Sequence, residues 1–373
     1  MPIGLIVFSW NKRIGAEIFT KYPEDFQLSN DTLMRIFSTH AFEEGGGFLS
    51  MIIGALNIAS YYSGPELGYY VSLFLSLEED PDLYEDAVLD AANVILSNRD
   101  IEQIKPLIPS LYARIAFYPK LTDEQKTAST LSDHAKSIIL DHLDEEGSSS
   151  KGELTNLLKD ILKLDYLDIN TVLNSLVKLG LIKVSSVKGL PTEAVFLIGN
   201  VFVTRTPPIM TVRQLKQLNL SSEIQNDYLS EVKTFFKQYK PNPTDNERIL
   251  ELFINPDTYT ILNLLRLTPV TQNGLNKIKN QVSDVNLALK KLWDVDLLRM
   301  IKNKKGDEYY LLKSDIRVQK YFPEYMINII RANYNQKIKP AQVLIEHLKL
   351  LRDTYLALPD EFKEVQLAVQ EES

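Results

Sequence analysis

The chain opens on an apolar run, 3–10 (IGLIVFSW). A mostly polar break follows at Asn11-Lys12-Arg13-Ile14-Gly15, and 16–23 then alternates apolar and polar. That pattern predicts a β-hairpin. It starts so early that no leader segment is expected ahead of it. Ser29-Asn30-Asp31 supplies a helix cap. Leu33, Ile36, Phe37 and Phe42 form an apolar stripe, so a helix is expected through Glu44, stopped by Gly45-Gly46-Gly47. Strands are expected at 48–54, 55–63 and 68–77, with a turn at Gly64-Pro65. The last of them, GYYVSLFLSL, is continuously apolar or aromatic and reads as a strand buried on both faces. Asp80-Pro81-Asp82 then caps a helix at 83–96, with Leu83, Val88, Leu89, Ala92 and Ile95 on one side. A further helix is expected near 101–117, interrupted at Pro106 and Pro109. Strand–strand–helix–three strands–two helices predicts an antiparallel five-stranded sheet with helices on its faces, an α+β arrangement.

Residues 120–130 (KLTDEQKTAST) are polar and read as a linker. Helices are expected at 131–145, 151–159 and 168–179, the last ended by Gly180. Strands at 181–184 and 194–198 follow, joined by 185–193. Three helices and a hairpin predict a winged helix, a variant of helix-turn-helix. The grammar recurs, with helices at 257–267, 271–280 and 282–295, strands at 297–301 and 309–312, and a tip at 302–308. LNSLVKLGLIKV (173–184) and LKKLWDVDLLRM (289–300) space their apolar residues alike, which points to an internal duplication. The expected domains are thus 1–119 (sheet), 130–205 (first winged helix), 206–243 (connecting helix), 244–320 (second winged helix) and 321–373. This last region holds two more helices, at 325–332 and 340–358, and an acidic, frayed end.

Composition narrows the function. The 373 residues are 45% hydrophobic and 24% charged, ordinary for an intracellular globular protein, and a cytoplasmic location is expected. No run approaches the ~18 apolar residues of a membrane span. The absence of cysteine excludes disulfides, thiolate chemistry and Cys-ligated zinc. A net charge of −8 argues against a dedicated nucleic-acid binder. Acidity is concentrated at the front, where roughly 16 acidic face 8 basic side chains in 1–120, while 241–320 holds roughly 13 basic against 10 acidic.

The sequence holds no phosphate-loop motif and no G-x-S-x-G elbow. His40, His134, His142 and His347 read as isolated helix or surface histidines, outside any metal-spaced set. Gly45-Gly46-Gly47 precedes a strand, so it reads as a turn and not an anion cradle. The carboxylates at 78–80 and 144–146 sit at element ends, where they serve helix dipoles and solubility. No catalytic residue, cofactor or metal is expected. Two clusters face outward. Lys302, Lys304 and Lys305 at the second hairpin tip, with Lys290 and Lys291 on the helix before it, would contact phosphates if DNA were bound, but no arginine is placed to read guanine. In the first repeat Asp168, Asn170, Asn174 and Lys178 leave the third helix without net positive charge. Protein-binding or structural winged helices are therefore expected over DNA readers. The other cluster is Asn11, Lys12 and Arg13 in the first turn.

On these residues the front of the chain resembles a longin domain. A longin domain followed by winged helices resembles the nitrogen permease regulator-like family, whose members act on Rag-type small GTPases. Tyr22-Pro23-Glu24-Asp25-Phe26 is similar to a "PEDF" segment at the equivalent place in that family, and Tyr62-Ser63 before a turn and an apolar strand is similar to its next hairpin. The cysteine-free chain would suit an archaeal relative of the eukaryotic regulators. The resemblance implies binding of a small GTPase, or of another longin or roadblock-type subunit, a homodimer or heterodimer, and peripheral membrane association only through a partner. In the family's GTPase-activating members an arginine follows the Tyr-Ser, and such an arginine is worth ~10³–10⁵ in rate. Here the loop reads Tyr62-Ser63-Gly64-Pro65-Glu66, and Glu66 has the wrong sign. Catalysis is not carried over. The expected role is a non-catalytic scaffold contacting its partner through Asn11, Lys12, Arg13, Tyr62 and Glu66; a DNA-binding regulator and a GTPase-activating protein are the alternatives.

Overall fold

A computed structural model describes residues 2–11, 13–42, 46–97, 104–163, 167–218, 220–303 and 306–359. Lys12, Gly45, Lys304, Lys305 and the acidic end of the chain lie outside the described residues.

The opening pattern forms a hairpin, β1 (Gly4–Asn11) and β2 (Gly15–Tyr22), with Gly15 at positive φ in the turn. β3 (Gly47–Ile53), β4 (Leu56–Tyr62) and β5 (Tyr69–Leu75) complete one sheet in the order β2-β1-β5-β4-β3. Every neighbouring pair is antiparallel. Successive side chains of a strand face opposite sides. Ile6, Phe8, Ile58, Tyr70 and Phe74 therefore meet Leu33 and Ile36 of α1 (Asn30–Phe42) on one side. Leu5, Val7, Ala59, Tyr61, Val71, Leu73 and Leu75 meet Val88, Ala92 and Ile95 of α2 (Glu85–Ser97) and Ile108 and Ile115 of α3 (Ile108–Phe117) on the other. Both faces are covered, so β5 reads as one unbroken apolar run. The α+β class and the five-stranded antiparallel sheet are as expected.

Details differ. Leu83 sits in a 3₁₀ turn (Pro81–Tyr84) and is 58% exposed, with Tyr84 buried in its place. Pro106 and Pro109 stand at the starts of a 3₁₀ turn and of α3, where the missing N–H costs nothing, so they open helices and do not interrupt one. The expected linker at 120–130 is largely helix α4 (Asp123–Ser132). Thr122 and Gln125 form a reciprocal capping box, and Ala128 is fully buried. Polar composition concealed it because Gln125 and Thr127 are buried with their bonds made inside, Gln125 Nε2 donating to the Phe253 carbonyl at 3.0 Å.

The duplicated grammar is present in the backbone. The first copy is α5 (His134–Glu146), β6 (Ser148–Ser150), α6 (Lys151–Leu162), α7 (Ile169–Lys178), β7 (Ile182–Ser185) and β8 (Ala194–Leu197). It is followed by β9 (Asn200–Thr206), α8 (Ile209–Gln214), α9 (Ser222–Gln238) and α10 (Pro243–Ile254). The second copy is α11 (Pro256–Leu267), β10 (Val270–Thr271), α12 (Gln272–Lys277), α13 (Val285–Asp294), β11 (Leu298–Lys302) and β12 (Glu308–Leu312), with β13 (Asp315–Tyr321) after it. The small sheets have matching orders, β6-β8-β7 and β10-β12-β11. β9 and β13, the strands that follow each copy, pair with one another from Thr206↔Asp315 to Asn200↔Tyr321. α14 (Met326–Gln336) and α15 (Ala341–Ala357) close the described chain.

These elements divide into two compact units, neither continuous in sequence. One holds Met1–Leu121, Asp141–Leu197 and Ile329–Thr354; the other holds Thr122–Leu140, Ile198–Asn328 and Tyr355–Ser373.

Candidate functional site

Register places the expected contact residues together. Ser9 pairs with Tyr69 and Tyr62 with Tyr70, so the β1–β2 turn and the 63–68 loop share one end of the sheet. Asn11 and Arg13 are exposed there, Asn11 Oδ1 accepting the Arg13 backbone N–H at 2.9 Å, and Glu66 is exposed in the loop. Tyr62 is half-buried and stacked on Tyr70 at 4.5 Å between ring centres, so its ring is structural. Gly46 supports this end from behind. A Cβ there would lie 2.7 Å from the Gly64 nitrogen and 2.8 Å from the Tyr62 carbonyl, which explains a glycine by backbone packing.

The two sheet edges are unlike. β2 carries Glu17 and Lys21 and a bulge at Phe19, where the register passes from Thr20 to Ile18. Charges and bulges are devices that discourage a further strand. Among the described residues β3 (GFLSMII) pairs only with β4; it has no charge, no proline and an unbroken register, and exposes Ile52 by 71%. It is an unprotected edge that offers a row of backbone donors and acceptors.

The third helices of the two copies differ more. α7 and α13 begin alike, Asp168 Oδ1 accepting from Asn170 N and Asp284 Oδ1 from Leu287 N. They end alike: Gly180 and Asp296 sit at φ 68° and 63°, and Leu181 N and Leu297 N each donate back to Leu176 and Leu292 carbonyls at 3.0 Å. This is the left-handed C-terminal cap. The outward face of α7, however, is spent on α2. Lys178 Nζ reaches Glu85 at 2.5 Å and Asp86 at 3.0 Å, Asn174 Nδ2 donates to Glu85 at 3.2 Å, and Thr171 Oγ1 donates to Asn93 at 3.0 Å. Tyr61 O–H adds a 3.0 Å bond to Asp168.

α13 keeps that face open. Asn286, Lys290 and Lys291 are exposed, Leu287 is 50% and Trp293 49% exposed. Of the expected phosphate contacts, Lys302 is tied to Glu308 at 2.8 Å, which raises its pKa. Asp284, Asp294 and Asp296 stand among or beside the lysines. The second unit also holds two paired arginines that sequence reading missed, Arg205 buried and Arg266 half-buried. Arg205 grips Asp245 through both oxygens, at 2.8 and 2.6 Å, and donates to Ser314. Arg266 binds Glu124, Asp315 and the Ile316 carbonyl. Their carboxylate partners lie between 40 and 142 residues away in the chain, beyond the reach of local spacing.

Two of the four histidines are not isolated. His40 is on the buried face of α1, its Nε2 3.0 Å from Ser60 Oγ, which is 2.8 Å from Ser72 Oγ. His347 Nε2 donates to the Leu197 carbonyl at 2.7 Å and is equally buried. Burial pushes both imidazoles down to about 4, so both are neutral near pH 7. At 2% exposure or less, His40, Ser60 and Ser72 form a polar core bond with no access for substrate. Among the described residues no group of three or more His, Asp or Glu side chains is placed to hold a metal ion. A cleft of about 490 Å³ lies between β6, α6 and 338–343, lined by His142, Glu146, Glu153, Leu157, Lys339 and Val343 among others. Its charged groups satisfy local backbone: Lys339 Nζ holds the Glu146 and Ser148 carbonyls, and Glu153 accepts from Ser150 N, which keeps its pKa low. No helix among the described residues is long and apolar enough to cross a membrane. Compared with known proteins, the chain matches no family model and no curated protein.

Proposed function

We propose that the chain is a non-catalytic regulatory or scaffold protein. The five-stranded domain would be a longin domain that binds a small GTPase, or another longin or roadblock-type subunit, and the two helix–hairpin copies would be winged helices used for protein contact. One observation carries the reading: β3 is a seven-residue edge strand without charge, bulge or proline, and Ile52 stands outward on it. Such an edge invites a partner strand, with main-chain bonds supplying affinity. Arg13 and Glu66, at the end of the same sheet, would set orientation. Contact with a membrane would come through the partner alone.

The purified chain should retain a small GTPase from its own organism, loaded with GDP or a GTP analogue, or a sheet-edge subunit. Ile52→Lys should weaken that retention by about tenfold or more, since a lysine on an edge blocks strand addition. Salt-sensitive retention of genomic DNA fragments with no protein partner would replace this reading with the DNA-binding regulator. Acceleration of single-turnover GTP hydrolysis would replace it with the GTPase-activating one, and Arg13→Ala would then be the first variant to assay.

A further inference from the structure

The two copies share their caps, turns and sheet orders, so their third helices can be laid on one another position by position. Thr171, Asn174 and Lys178 of α7, which bond α2, correspond to Leu287, Lys290 and Asp294 of α13, and the buried Ser175 on the same helix corresponds to Lys291. Val177, at 37% exposure on the margin of the α7 contact, corresponds to Trp293. What α7 receives is an amphipathic helix whose first turn carries the carboxylates Glu85 and Asp86. The face of α13 is uncovered in this structure, and among the described residues Lys290 and Lys291 make no ion pair. It exposes two large apolar side chains around two cations, on a helix whose inner face is filled by the core residues Val285, Ala288, Leu289 and Leu292.

We infer that α13 is the docking face for an acidic amphipathic helix of a partner protein, held as α2 is held by α7. The guest's first-turn carboxylates would fall on Lys290 and Lys291, and its apolar stripe on Leu287 with Trp293 at the rim. Lys290 stands where Asn174 of α7 contacts Glu85 and Asp86, so on α13 it takes over the carboxylates that Lys178 also holds in α7, where α13 has Asp294. Charge selects a helix over duplex DNA. Asp284 and Asp294 lie at the two ends of the same helix and Asp296 just beyond it, where phosphates would have to pass, and Lys302 is already paired. The neighbouring lysines thus form a short cationic spot bounded by carboxylates and apolar side chains, with no continuous basic track.

The chain has two tryptophans, and Trp10 is stacked on Phe37 at 4.7 Å. Trp10→Phe leaves Trp293 as the sole indole reporter. The full-length variant would be titrated with a synthetic peptide of residues 80–97, the sequence of the helix that α7 already holds. The expected result is a saturable change in Trp293 emission below about 1 mM. K290E/K291E, an exposed double change that leaves the core untouched, should weaken the interaction about tenfold or more. A peptide with Glu85 and Asp86 replaced by glutamine and asparagine should weaken it similarly. No saturation, or saturation that K290E/K291E leaves unchanged, would overturn the proposal. So would a Trp293 response to duplex DNA that the peptide fails to displace. No GTPase and no residue of β3 enters the assay, so the result is independent of the function proposed above.

Discussion

α7 and α13 occupy the same place in their copies, start on the same Asp cap and lead through the same left-handed residue into a strand. Yet α7 is bonded along its outward face to α2, while the matching face of α13 meets solvent. The inner faces of both obey one rule, with Leu176 and Leu292 fully buried at equivalent positions. The outer faces obey none in common. Small polar residues, Thr171, Asn174 and Ser175, let α2 approach α7 closely, whereas Leu287, Lys290 and Lys291 hold a neighbour at side-chain length. The two segments share one backbone plan because the plan is set by core and caps. The surfaces, free of that constraint, differ: one is an internal joint and the other an open face.

The comparison can be broken at several levels. Leu176→Ala and Leu292→Ala should each cost roughly 2–5 kcal/mol, the range for a large-to-small change in a closed core. Denaturant melts followed by hydrogen exchange should show each loss in its own unit; a negligible cost at either site would break the equivalence. Acid should separate the units next. His40 and His347 both belong to the first unit, and their folded pKa values of about 4 lie below the ordinary 6.5. The unfolded chain therefore takes up protons that the fold refuses. Stability is present in full above pH 6.5 and falls as pH drops toward 4, by up to about 3 kcal/mol for each histidine. Amide protection read between pH 7 and 5 should decline in the first unit more than in the second, whose described histidine, His134, is exposed. Paired His40→Asn and His347→Gln variants should flatten that slope.

Smaller effects sharpen the match between the turns. Gly180→Ala places a Cβ in open space, so its cost of about 1–2 kcal/mol would be purely conformational. Asp296→Gly, at the equivalent φ, should be neutral or mildly stabilising, because relief of strain offsets the lost 2.8 Å bond to Lys313. Opposite signs in thermal melts would establish that the two turns are the same device. Smallest of all is Lys178→Met. Its side chain is 40% exposed, and solvent screening reduces its pairing with Glu85 and Asp86 to about 0.5–1 kcal/mol. A loss well beyond that would mean the α2–α7 joint depends on the ion pair and not on Thr171 and Asn174.

Much of the candidate surface was readable in advance, and the unread parts have a common cause. The exposed turn residues Asn11, Arg13 and Glu66 were identifiable as polar breaks, but only register brought them to one end of the sheet. β3 was readable as a strand from FLSMII; that it is an edge follows from the order β2-β1-β5-β4-β3, which no local pattern encodes. α4 was misread as a linker because buried Gln125 and Thr127 look hydrophilic until their partners are known. The α9–α10 region was half seen, since a connecting helix was expected in 206–243 and the helix Pro243–Ile254 was not.

The sequence by itself determined the period and type of most elements, the α+β class and the repeated helix–helix–strand phrase. Periodicity, caps and glycines act within a few residues, and the chain carries those instructions locally. Tertiary structure alone decided which faces are used. Whether α7 or α13 is free, whether His40 and His347 are charged near pH 7, and whether β3 has one neighbour or two depend on residues far apart in the chain. Their free energies come from burial and from bonds closed across it.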